Sequence, residues 1–156
     1  MSHQMIAPRP SRLRNDQLQF VLPPTEFSEL LNQTRLPPAI NLPALIERCM
    51  GDVEFALILL KEFESTGHER ATNIHQSVAN ADFAAIERFA HGLQGVAGMM
   101  DAERLCELAG ELNTAAHVRD LPSVTSFAKQ LETEMQRCLS EIPNIRAGVR
   151  CFSNRG

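Results

Sequence analysis

Between Leu42 and Ile142, apolar residues recur at spacings of three and four in five consecutive stretches, and only a few residues separate one stretch from the next. That period lays a single apolar stripe along one face of a helix. Helices joined by such short connections pack as antiparallel neighbours. The pattern predicts an all-α fold: an antiparallel, up-down-up-down four-helix bundle with a short N-terminal helix capping one end. The chain lacks Trp and Tyr, and its 44 % hydrophobic content is dominated by Leu and Ala, which favours helices over sheets. Its 156 residues suit one domain with one core.

Start and stop signals divide the stripes. The first helix has Asn41 as N-cap, Pro43 in its first turn, Leu42, Leu45, Ile46 and Cys49 on its apolar side, and Gly51 as a stop. A long second helix begins near Asp52, its stripe marked by Ala56, Leu59, Leu60, Phe63, Ala71, Ile74 and Val78, with Gly67 a weak point in the middle. The third starts at Asp82. The fourth starts at Asp101 and turns Leu105, Leu108, Leu112 and Ala115 inward. The fifth follows Asp120, buries Val124, Phe127, Leu131, Met135, Cys138 and Ile142, and is expected to stop at Pro143.

Proline and charge set three regions. Residues 1–40 hold six of the nine prolines and read as an extended arm, in which Thr25 to Leu31 is long enough for one capped turn that docks on the body. Residues 41–142, the bundle, carry 16 acidic and 8 basic residues, a net charge of −8. Residues 143–156 read as a basic flexible tail with Arg146, Arg150 and Arg155 and no acid. So acidic a body argues against a nucleic-acid partner, which needs basic surface to neutralise phosphates. The four cysteines (Cys49, Cys106, Cys138, Cys151) form no CxxC pair and read as reduced thiols. No apolar run approaches the ~20 residues of a membrane span, and no signal-peptide core is present. The expectation is a cytoplasmic monomer that does not contact membranes.

The third helix carries the residue that stands out. Phe83, Ile86, Ala90, Leu93, Ala97 and Met100 form its stripe, and at roughly 100° per residue His91 points away from it. Three of the chain's eight glycines (Gly92, Gly95, Gly98) follow within seven residues, although glycine in a helix interior costs about 1 kcal/mol relative to alanine. Gly95 and Gly98 lie on the face of His91, one and two turns on, with Gln94 beside them. A histidine on a face stripped of side chains is open to the close approach of another protein's backbone or a phosphoryl group. The other candidates read as ordinary. His68 and His75, seven apart, are surface residues, since the Glu-x-x-His pair of di-iron bundles is absent. His3 and His117 lack evident partners. Cys106, Met99 and Met100 are packing residues.

The stretch His91-Gly92-Leu93-Gln94-Gly95-Val96-Ala97-Gly98-Met99-Met100-Asp101-Ala102-Glu103-Arg104-Leu105, placed on the third and fourth of five helices, resembles the signature of the histidine-containing phosphotransfer (HPt) domain. That signature runs His-x-Leu-Lys-Gly, then small residues, then Leu-Gly-Ala-x-x-Leu. The resemblance covers roughly residues 41–142, including the Gly51-Asp52 and Asn80-Ala81-Asp82 steps. The family's lysine is Gln94 here, and its glycine before the fourth helix is Asp101, read as an N-cap. Gln94 can donate a hydrogen bond but brings no positive charge.

The resemblance implies a phosphoryl carrier, not an enzyme. His91 would accept the group from a receiver-domain aspartate and pass it to another receiver. Neutral imidazole is a competent nucleophile at pH 7, and transfer rests on positioning and charge neutralisation. The carrier needs no cofactor, because Mg²⁺ belongs to the receiver. Gln94, Gly95, Gly98 and Arg88 are the implied phosphate or receiver contacts, with Arg88 a partial substitute for the missing lysine. Implied partners are response-regulator receivers, a hybrid sensor histidine kinase, or both. The alternative is a degenerate bundle that binds a receiver or signalling partner without taking phosphate.

Overall fold

A computed structural model describes residues 37–153, with side chains to Arg150. The expected turn at Thr25 to Leu31 lies outside the described residues. Five helices follow in order: α1 (Leu42–Arg48), α2 (Val53–Ala79), α3 (Phe83–Met99), α4 (Glu103–His117) and α5 (Leu121–Ser153). The described residues contain no strand, and no helix among them is long and apolar enough to cross a membrane. Helix α3 packs on α2 and α4, and α5 packs on the same two, so the four long helices enclose one core; α1 packs on α2. The predicted stripes supply that core. Leu45, Leu60, Ile86, Ala90, Leu93, Ala97, Leu105, Leu112, Val124, Cys138 and Ile142 are completely buried.

Each turn between helices is built the same way. After α1, α2, α3 and α4 the chain passes through one non-glycine residue at positive φ: Met50, Ala81, Asp101 and Arg119. In each case this residue's N–H and the next one's return to carbonyls of the helix just ended, as in Ala81 to Val78 at 3.0 Å and Asp82 to Ser77 at 2.9 Å. These paired bonds satisfy carbonyls that a helix end leaves free. The residue after Ala81, Asp101 and Arg119 then serves as the start of the next helix. Asp82 caps α3 through the Ala85 N–H, and Asn41 and Asp52 cap α1 and α2 as the sequence implies. Asp120 accepts from both the hydroxyl and the N–H of Ser123, which holds its carboxyl below the usual range.

Four expectations need correcting. Asp101 does not cap α4: the N-cap is Ala102, which has no side-chain bond, and Asp101 sits one residue earlier at φ 53°. Its carboxylate is engaged instead by the Arg48 guanidinium, at 2.9 and 3.0 Å. Pro143 does not stop α5, which runs on to Ser153. A proline removes one helical hydrogen bond, but the segment beyond it is tied down by Ile145 and Val149 packing inward and by an ion pair between Arg146 and Glu64. Residues 143–153 are therefore helix and not a flexible tail. Gly67 is not a weak point: α2 is continuous there, and a side-chain carbon at Gly67 would stand 2.8 Å from Leu139 Cδ2, so glycine is what lets α5 approach.

The fourth correction concerns the arm. The core starts before Leu42, because Ala39 and Ile40 are buried. Both donate backbone N–H groups to the Glu141 carboxylate, Ala39 at 2.9 and 3.0 Å and Ile40 at 3.3 Å. The Arg137 guanidinium lies 3.9 Å from the same carboxylate. Glu141→Ala should therefore cost about 1–3 kcal/mol, the penalty for leaving buried donors unpaired, read from denaturant unfolding. At Ala81 the expected sign is opposite. A left-handed non-glycine residue costs roughly 1–2 kcal/mol, of which the extra freedom of unfolded glycine takes back part. Ala81→Gly should thus stabilise the protein by about 0.5–1 kcal/mol; an unchanged or lower midpoint contradicts the assigned backbone.

Candidate functional site

The rotation of α3 is set by Ile86, Ala90, Leu93 and Ala97, all with no exposed surface. That phase turns His91 outward, and it is exposed. A side-chain carbon built on Gly92 or Gly95 would meet nothing within 4 Å. The backbone beside the imidazole is therefore open, as the sequence pattern suggests for Gly95.

The two flanks of His91 differ. Toward α4 the surface is filled. Gly98 is half-buried, and a carbon there would lie 3.8 Å from the Cys106 Sγ, so this glycine belongs to the α3–α4 seam more than to the open face. Seven residues fall about 20° short of two full turns, which carries position 98 round toward α4. The Gln94 side chain lies over Gly110 of α4: its Nε2 would be 2.8 Å from a carbon on that glycine. The Cys106 thiol donates to the Gln94 carbonyl at 3.5 Å, in keeping with a packing role. On the same flank His117 has a partner that the sequence reading missed, Glu87 at 3.6 Å.

Toward α2 the surface is open and basic. A groove of about 260 Å³ runs between α2 and α3, lined by Thr66, Glu69, Arg70, Asn73, Arg88, Phe89 and Gly92. Arg88 is exposed, its guanidinium 4.9 Å from the centre of the Phe89 ring. The half-buried Arg70 donates from Nε to the Thr66 hydroxyl at 3.3 Å. Sequence reasoning did not find Arg70 or Asn73, since nothing in a single chain reveals which turn of α2 lies across from His91. Met99 also departs from expectation. Met100 is buried as packing, but Met99 is 51 % exposed.

The remaining candidates are ordinary. His68 and His75 are exposed on α2, and no cluster of three or more His, Cys, Asp or Glu suited to a metal ion occurs among the described residues. Burial, with Glu134 and Glu141 nearby, pushes the Cys138 thiol up to about 12, so it stays protonated and unreactive.

The family model of the Hpt domain matches residues 58–144, the stretch from the second turn of α2 through Asn144 that includes His91. The chain belongs to the Hpt domain family. Its fold is also similar to the crystal structure of histidine-containing phosphotransfer protein B (HptB) from Pseudomonas aeruginosa PAO1, with a TM-score of 0.66 and 21 % identity over 72 % of this chain and 97 % of that one. No curated protein sequence matches the chain significantly. Hpt domains are phosphotransfer carriers of two-component signalling, and this Hpt domain has that coarse role.

The open backbone at Gly95 makes a two-sided prediction. Gly95→Leu should stabilise α3 by up to about 1 kcal/mol, because leucine is the better helix former and the space is free. The same bulk beside His91 should block phosphotransfer. Thermal unfolding and a transfer assay on one preparation check both halves; normal transfer by the variant contradicts the open-face argument.

Proposed function

We propose that His91 is the phosphoacceptor of a phosphorelay intermediate, receiving the phosphoryl group from a receiver-domain aspartyl phosphate and delivering it to a second receiver. The observation that carries this reading is the exposed His91 beside open backbone at Gly92 and Gly95, inside the segment that matches the family. In the forward step the lone pair of a neutral imidazole nitrogen attacks phosphorus in line. The N–P bond forms as the acyl P–O bond breaks, the receiver's aspartate leaves as carboxylate, and the imidazolium proton is lost to solvent. Delivery to the second receiver is the reverse reaction.

Such transfer asks little covalent chemistry of the carrier, only positioning and charge neutralisation. The metal ion comes from the receiver. An antiparallel bundle suits the task because its rigid helices hold the nucleophile on a flat, accessible face. Gln94, Gly95 and Arg88 flank His91 as the contact zone: Gly95 leaves room for the incoming domain, and Gln94 can donate to a phosphoryl oxygen if it leaves Gly110. Gly98 acts at one remove, by keeping α3 and α4 close. Met99 supplies an apolar rim. The partners are receiver domains and the hybrid kinase that loads them, and the carrier works as a monomer in the cytoplasm.

The specific observation favouring the degenerate reading is Gln94, neutral and laid against α4. One experiment separates the two. The protein is incubated with a phosphorylated receiver and Mg²⁺, then tested for acid-labile, base-stable phosphate. The expected result is labelling of the wild type and none of His91→Ala. The variant's stability should stay within about 0.5 kcal/mol, as for other exposed substitutions. Labelling of His91→Ala overturns the assignment, and an unlabelled wild type that still binds the receiver favours the adaptor.

A further inference from the structure

Resting on the phosphoacceptor reading of His91, we propose that Arg70 and Arg88, facing each other across the α2–α3 groove, supply the positive charge for the transferred phosphoryl group. Charge is the missing element of this site. A phosphoryl group in transit carries negative charge on its peripheral oxygens, and a cation beside the carrier's nucleophile adds to the stabilisation that the receiver's metal supplies. Gln94 brings none, and its side chain lies on the α4 flank over Gly110. On that flank the His117 ring lies 3.6 Å from the Glu87 carboxylate, so it faces an acid of its own.

The other flank has cations to spare. Gly92 lines the groove, so the cleared backbone beside His91 continues directly into it. Arg88 stands one helical turn before His91 on the exposed side, the spacing at which side chains on a helix become neighbours. Arg70 enters from α2. Neither arginine belongs to an ion pair among the described residues, whereas Arg48, Arg104, Arg137 and Arg146 all do. Arg119 and Arg150 are also outside the ion pairs among the described residues, but neither lines this groove, whereas Arg70 and Arg88 meet in it. Glu69 shares the groove and leaves it with a net positive charge. Stacking on Phe89 and the bond to Thr66 hold the two side chains without neutralising them. Asn73 adds an amide donor, so the lining offers the planar forks and neutral donors that phosphoryl oxygens accept from.

The test measures transfer from one phosphorylated receiver, with Mg²⁺, over a range of receiver concentrations. The proteins are wild type, Arg70→Gln, Arg88→Gln, the double variant, and the double variant carrying Gln94→Lys. Each single substitution should lower the maximal rate roughly tenfold, the factor that 1.36 kcal/mol represents, and the pair should lower it further. Gln94→Lys should restore much of the loss from the opposite flank, an effect that shrinks with added salt. The half-saturating receiver concentration and thermal midpoint should move little. An unchanged maximal rate in the double variant overturns the proposal. So does a loss confined to half-saturation, which would put the arginines on the receiver's surface instead of the phosphoryl group. A loss accompanied by a lower midpoint and no rescue by Gln94→Lys makes them structural and overturns it too. A wild type that accepts no phosphate refutes the phosphoacceptor reading itself, whereas an active wild type with unaffected variants refutes this inference alone.

Discussion

Burial of Ile86, Ala90, Leu93 and Ala97 is the interaction on which the site depends. A helix has one free rotation about its axis, and four side chains wholly removed from water remove that freedom. Any turn of α3 that brought His91 inward would expose leucine and isoleucine, each worth about 1.5–3 kcal/mol of burial, and would bury an imidazole with no partner. The site is therefore oriented by residues that take no part in its chemistry. The same phase makes the two flanks unequal. It carries Gly98 and Gln94 toward α4, where small residues let the helices close together, leaves Gly95 open, and sets Gly92 on a groove that α2 does not fill.

The turns hold that phase in place. Because the residue that ends one helix is followed at once by the start of the next, little slack remains between Ala79 and Phe83 or between Met99 and Glu103. Asp101 adds a tie to α1 through Arg48, and its carbonyl accepts from the Asn41 N–H at 3.0 Å. The end of the histidine helix is thus anchored to the start of the first helix as well as to its successor. Fixed geometry of this kind suits a carrier whose catalytic contribution is chiefly placement.

Much of this was legible in the sequence. The three- and four-residue spacing identified five helices and the large side chains of the core between Leu45 and Ile142, though not the buried alanines Ala85, Ala102, Ala109, Ala116 and Ala128. Asn41, Asp52 and Asp82 announced their caps. The direction of His91 followed from its neighbours. The failures share a cause: each depends on what lies across from a residue in space. Asp101 has the chemistry of an N-cap, but a backbone already committed to a left-handed turn gave it another task. Pro143 carries a real cost within a helix, outweighed by the packing of Ile145 and Val149 and the Glu64 partner of Arg146. Gly67 looks like a helix defect until Leu139 is seen resting on it. Arg70 stayed unnoticed because helical period says which residues share a face, not which turn of a neighbouring helix stands opposite.

The Glu141 carboxylate has a further consequence, for the order in which the chain assembles. Its bonds to Ala39 and Ile40 join residues 102 and 101 positions apart, whereas α3 and α4 meet across a turn of three residues, Met100–Ala102. Closing a long loop costs entropy that contacts near in sequence do not demand. The α3–α4 hairpin, with the histidine on its surface, is thus the natural early structure. The clasp at Glu141 closes last, after α5 has found its groove. The backbone donors of Ala39 and Ile40 are thus held by a contact that spans most of the described chain, while the histidine surface rests on contacts between neighbours in sequence.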